Sequence, residues 1–74
     1  MNSSQEIAEL IVKIAKNKKF TINIILIDCN LQKDLIRNMR NGSIPSVDKI
    51  AFIANYLDID INYLLGTEKK LKHR

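Results

Sequence analysis

The stretch FTINIILIDCN, residues 20–30, places four isoleucines and a leucine within six positions, and its conformation decides the fold class. Isoleucine is β-branched and favours strands. A half-exposed strand, however, carries a polar residue at every second position, and Ile24-Ile25-Leu26-Ile27 breaks that alternation. A fully buried strand tolerates such a run but needs a neighbour to satisfy its backbone, and no second strand is legible in the chain. With Thr21 as an N-cap, Ile22, Ile25, Leu26 and Cys29 fall at i, i+3, i+4 and i+7. That is one helical face. The helix follows, and it leaves Ile24 and Ile27 pointing away from the core.

The rest of the chain reads the same way. Ser3 followed by Glu6 is a capping-box signal, and Ile7, Leu10, Ile11, Ile14 and Ala15 continue it as an amphipathic stripe. Asn30, which tolerates the left-handed conformation, ends the second helix. LQKDLIRNMRNG supplies a third over about residues 31–40, with Leu31, Leu35, Ile36 and Met39 inward and Gly42 as its stop. Ser46 caps a fourth, with Val47, Ile50, Ala51, Ala54 and Leu57 as the expected buried stripe. Asp60 caps a short fifth helix that stops at Gly66. The expectation is an all-α domain of five short helices over residues 1–66, followed by a disordered basic tail, 67–74. The second and third helices, separated by a turn of roughly three residues, have the form of a helix-turn-helix.

Composition narrows the functional classes. A chain of 74 residues makes one domain near the lower limit for a core-stabilised fold. One cysteine, Cys29, and one histidine, His73, exclude an internal disulfide and a zinc site within one chain. No nucleophile–base pair, carboxylate dyad or glycine-rich phosphate loop is legible, so an enzyme is not expected and no cofactor is implied. With no secretory signal and no apolar run of transmembrane length, the expected location is a reducing cytoplasm. The net charge is +4, of which the tail TEKKLKHR holds +3, so the body is almost neutral. Segregation of charge within that body is the better clue to a polyanionic partner. Lys13, Lys16, Lys18 and Lys19 form one basic group, and Lys33, Arg37 and Arg40 another.

NGSIPSVDKIAFIANYLDIDINYLLG, residues 41–66, resembles the second half of the Cro/C1-type (XRE-like) helix-turn-helix domain of phage and plasmid repressors. It keeps the framework NGxxPSxxxxxxIAxxLxxxxxYLLG. LQKDLIRNMRNG stands where that family has its recognition helix. The resemblance spans roughly residues 6–66. Ile22 stands where the family often has Gln, Leu26 where it has a small Ala, and Asn30 where it has a turn Gly.

The resemblance implies a lambda-repressor-like fold and a sequence-specific regulator of transcription, acting as a repressor on double-stranded DNA. Its base readers would be Gln32, Lys33, Asp34, Arg37 and Asn38. Lys or Arg donates to guanine, Asn or Gln pairs with adenine, and Asp accepts from cytosine. Asp34 can instead hold Lys33 or Arg37 in place. Phosphates would be held by Thr21, Asn23, Arg40, Asn41, Ser43 and Ser46, at helix starts and in the loop. A homodimer on a palindromic operator would use the last helix and the loop before it, with Tyr56, Ile59, Ile61 and Tyr63 as candidates. No membrane or small-molecule partner is implied. The competing expectation is a protein-interaction module, such as an antitoxin-like partner, docking through Ile24 and Ile27.

Overall fold

The computed structural model describes residues 2–66, so the basic tail lies outside the described residues. Five helices form in chain order: α1 (Ser4–Asn17), α2 (Ile22–Asp28), α3 (Leu35–Arg40), α4 (Val47–Leu57) and α5 (Ile61–Leu65). No strand occurs among the described residues, and none of their helices is long and apolar enough to cross a membrane.

Four of the five helix starts follow the sequence closely. The Ser3 hydroxyl accepts from the Glu6 N–H at 3.2 Å, and the Glu6 carboxylate accepts from the Ser3 N–H at 2.8 Å, completing the capping box. Hydrogen bonding to the carboxylate from the Ser3 N–H, and secondarily from the Ser3 side chain, holds the Glu6 carboxyl below its usual pKa. Thr21, Ser46 and Asp60 cap α2, α4 and α5 through their side-chain oxygens.

Helix ends share one device. Among the described residues the positive-φ ones are Lys19, Asn30, Gly42, Asp58 and Gly66, and each closes one helix. After α1, α2, α3 and α4 the two following amides fold back onto the last turn. At α2, Asn30 N–H donates to Ile27 O at 3.0 Å and Leu31 N–H to Leu26 O at 2.8 Å, which is a Schellman end. Lys19 is the costly member, because a side chain with no local hydrogen-bonding use sits at φ 67°. The left-handed conformation costs an L-residue about 1–2 kcal/mol. Lys19→Gly is expected to raise the unfolding free energy by up to about 1 kcal/mol, part of the relief being offset by the freer unfolded glycine. Urea titration followed by circular dichroism measures it, and no gain would refute strain at this turn.

The core gathers Ile7, Ala8, Ile11 and Ala15 of α1 with Ile25 and Leu26 of α2. Leu35, Ile36 and Met39 of α3, Ile50, Ile53, Ala54 and Leu57 of α4, and Leu64 of α5 complete it. α1 packs against α3, α4 and α5, and α2 packs against α4. The ends of the described chain meet: Asn2 N–H donates to Leu65 O at 2.7 Å and its amide to Leu64 O at 3.0 Å. A Cβ at Gly66 would lie 2.9 Å from the Asn2 nitrogen, so only glycine fits that closure.

Two expectations about packing are corrected. Val47, placed in the α4 stripe by periodicity, is exposed, Ala51 is only half-buried, and Ile53 is buried instead. The third helix begins at Leu35 rather than at about residue 31. Leu31 still belongs to the close of α2, its N–H donating to Leu26 O at 2.8 Å. Leu35 N–H closes a turn onto Gln32 O at 3.1 Å before α3 begins. Six residues, 29–34, therefore separate α2 from α3.

Candidate nucleic-acid interface

The chain from Gln32 to Lys49 holds most of the residues expected to touch DNA. α3 is short but firmly seated, because Leu35, Ile36 and Met39 bury one side of it and Arg40 anchors its end. The Arg40 Nε donates to Glu9 Oε2 of α1 at 3.0 Å. Arg40 is thus already paired, and a phosphate would compete with a carboxylate for it. The Asp34 carboxylate makes no cap to α3 and lies 3.7 Å from the Arg37 guanidinium. This is the holding arrangement expected as its alternative to base reading. The pair is exposed on both sides and adds little stability.

Gln32, Lys33 and Asp34 stand in the link before α3, whereas Arg37 and Asn38 lie on the helix itself. The following loop returns to the same place. Gly42, at φ 101°, directs its N–H to Met39 O at 3.0 Å, and Ser43 N–H donates to Asn38 O at 2.9 Å. The outcome is a depression of about 130 Å³ between α3 and the start of α4. Its polar rim is Gln32, Asn38, Ser43 and Lys49, with Ile44 and Pro45 on one side and Leu35 and Met39 beneath. No carboxylate lines it. The residues around it carry two amides, a hydroxyl and an ammonium, donors and acceptors suited to a base edge and a cation suited to a phosphate.

Lys49 is the residue that the sequence reading missed. It sits in the first turn of α4, at the helix end whose dipole repels a cation. That misplaced charge is the one sequence signal that marks it.

The remaining expected phosphate ligands are dispersed. The hydroxyl oxygens of Thr21 and Ser46 accept from Ile24 N–H at 3.2 Å and Lys49 N–H at 3.4 Å, leaving their protons free to donate. Asn23 is exposed on α2, and Asn41 is exposed at the end of α3.

The dimer candidates do not form one exposed patch. Tyr56 is bound within the fold: its hydroxyl donates to Asp28 Oδ2 at 2.6 Å, and its ring meets Phe20 edge-on at 5.2 Å. The hydrogen bond to Asp28 raises the phenol pKa. Cys29 Sγ lies 3.5 Å from Phe52 O, so the C-terminal end of α2 is tied to α4 at two adjacent residues, Asp28 and Cys29. Burial, reinforced by the Asp28 charge, raises the Cys29 thiol pKa, which disfavours the thiolate. Ile59 and Ile61 are half-buried against the core. Tyr63 is exposed beside a larger hollow of about 540 Å³ that also contains Leu10, Lys13, Glu6 and Glu9. Two carboxylates make that hollow a poor seat for a polyanion.

No family model, curated protein or solved structure matches the chain. The functional reading therefore rests on the residues and their geometry.

Proposed function

We propose that the chain is a sequence-specific double-stranded DNA-binding regulator of transcription, of the repressor kind. In this reading α2 and α3 act as the helix-turn-helix of a lambda-repressor-like, Cro/C1-type domain. The observation that carries it is the carboxylate-free depression where Gln32, Asn38, Ser43 and Lys49 converge, next to the exposed cations Lys33 and Arg37. The reading surface is then the segment 32–38 together with the loop to α4, rather than one continuous helix. Gln32, Lys33 and Asn38 face base edges, and the Asp34–Arg37 pair presets the Arg37 guanidinium. Ser43, Ser46 and Lys49 meet phosphates, with Thr21 and Asn23 contacting the backbone from α2. A near-neutral body suffices, since hydroxyls and backbone amides contribute to phosphate binding as well as cations.

The chain binds as a homodimer on a palindrome, with half-sites about 10 bp apart from centre to centre. Of the four candidates Tyr63 stands exposed for that contact, while Ile59 and Ile61 are half-buried. Repression by occupying a promoter requires no chemistry.

Selection from a random duplex pool, followed by titration of the recovered sequences at two salt concentrations, tests the reading. A palindrome should emerge whose binding weakens as salt rises. Failure to enrich any sequence would sink it.

One observation favours a second reading. Ile24 and Ile27 of α2 are 47% and 73% exposed, as expected for a helix that docks a protein partner. Polar replacement of both leaves DNA selection intact under the first reading and abolishes partner capture under the second.

A further inference from the structure

The DNA-binding reading leaves one feature unexplained. Ile44 is 86% exposed, more than any other large apolar side chain among the described residues. Its backbone is nevertheless held on both sides. Ser43 N–H is bonded to Asn38 O at 2.9 Å, Pro45 follows directly, and Ser46 caps α4. A residue before proline is confined to extended conformations, so the Ile44 side chain is presented from a stiff link.

Its neighbours define what it meets. Ile44 lines the same depression as Gln32, Asn38, Ser43 and Lys49. A surface complementary to that set has a donor–acceptor edge for an amide, an anion within reach of a lysine, and a small apolar projection. The major-groove face of an adenine–thymine pair has all three. Adenine N6 and N7 suit a bidentate Asn or Gln, a phosphate lies nearby, and the thymine C5-methyl is the only apolar group displayed there.

We infer that Ile44 is a specificity residue that packs on a thymine C5-methyl, in or beside the pair whose adenine is read by Asn38 or Gln32. The inference rests on the DNA-binding reading and adds a base preference from the loop after α3. Each half-site then carries a thymine whose methyl group is required.

Uracil differs from thymine only by that methyl, so uracil substitution isolates the contact. The selected duplex is remade with single thymine-to-uracil changes and titrated with the full chain and with Ile44→Ser. The original chain should lose about fourfold in affinity at one position per half-site, the effect of one buried methyl group. Ile44→Ser should bind thymine and uracil duplexes equally there, while keeping the thermal midpoint expected for a change at an exposed site. Retained thymine preference in Ile44→Ser, or none in the original chain, overturns the inference while leaving the regulator reading standing. Loss of dimer formation with an unchanged thymine preference would place Ile44 between two copies, and also overturns it. If no duplex is selected, both readings fall.

Discussion

Ile53→Ala is expected to destabilise the fold by about 2–5 kcal/mol, and Val47→Ala by less than about 0.5 kcal/mol. Both residues are β-branched and lie on α4. Ile53 is 1% exposed and Val47 is 60% exposed. Removing three methyl-type carbons from Ile53 leaves a cavity at the helix that contacts α1, α2 and α5, so collapse around it would have to shift several elements at once. A domain of this size is expected to have a net stability on the order of 5 kcal/mol, so Ile53→Ala can leave a large unfolded fraction at room temperature. Urea unfolding followed at the helical circular-dichroism band measures both variants. Equal losses would mean that the two residues share one environment, contrary to the packing.

That pair also marks where the sequence stops being legible. α4 carries apolar side chains at 47, 50, 51, 52, 53, 54 and 57, so periodicity permits more than one stripe. Position within the helix decides between them. Val47 is the first helical residue and projects past the end of the core, whereas Ile53 lies between Ile50 and Leu57 and faces inward. Sequence has no access to that end effect. The caps, by contrast, were legible because they are local: Ser3 with Glu6, Thr21, Ser46, Asp60 and the left-handed Asn30 each act within four residues of their own position. The false start of the third helix has a similar origin. Leu31 and Leu35 have helical spacing, but Leu31 lies in the turn that closes α2, and Gln32–Leu35 make a single separate turn before α3 begins. Only a pattern that weighs the end of one helix against the start of the next would have separated them.

The site was legible in its residue types and less so in its company. Gln32, Asn38 and Ser43 were expected at an interface, and they do share one depression. Arg40 and Tyr56 were expected to be available, and they are spent on Glu9 and Asp28. Both partners are distant in sequence, so no spacing rule connects them. Tyr56 also shows why an aromatic residue near the end of a helix is a poor guide to an interface. Its ring and its hydroxyl both find partners inside the molecule, which is the usual requirement for a partly buried tyrosine.

On DNA, Asn38→Ala and Lys49→Ala should fail in different ways. Asn38 is half-buried on α3, and its main-chain carbonyl accepts from Ser43 N–H. Alanine keeps that carbonyl and is a better helix former, so the loop stays in place and only the amide is lost. A bidentate amide–adenine pair is worth about 1–3 kcal/mol of discrimination. Asn38→Ala should therefore weaken the selected duplex roughly 5- to 150-fold, relax the preference at one position per half-site, and leave the salt dependence unchanged. Lys49→Ala should weaken all sequences alike, and it should make the salt slope shallower by about 0.9 for the phosphate no longer neutralised. Competition titrations against single-base variants at two salt concentrations separate the outcomes. A uniform loss from Asn38→Ala would assign that side chain to the backbone and move base reading to Gln32 and Lys33, in the link that precedes α3.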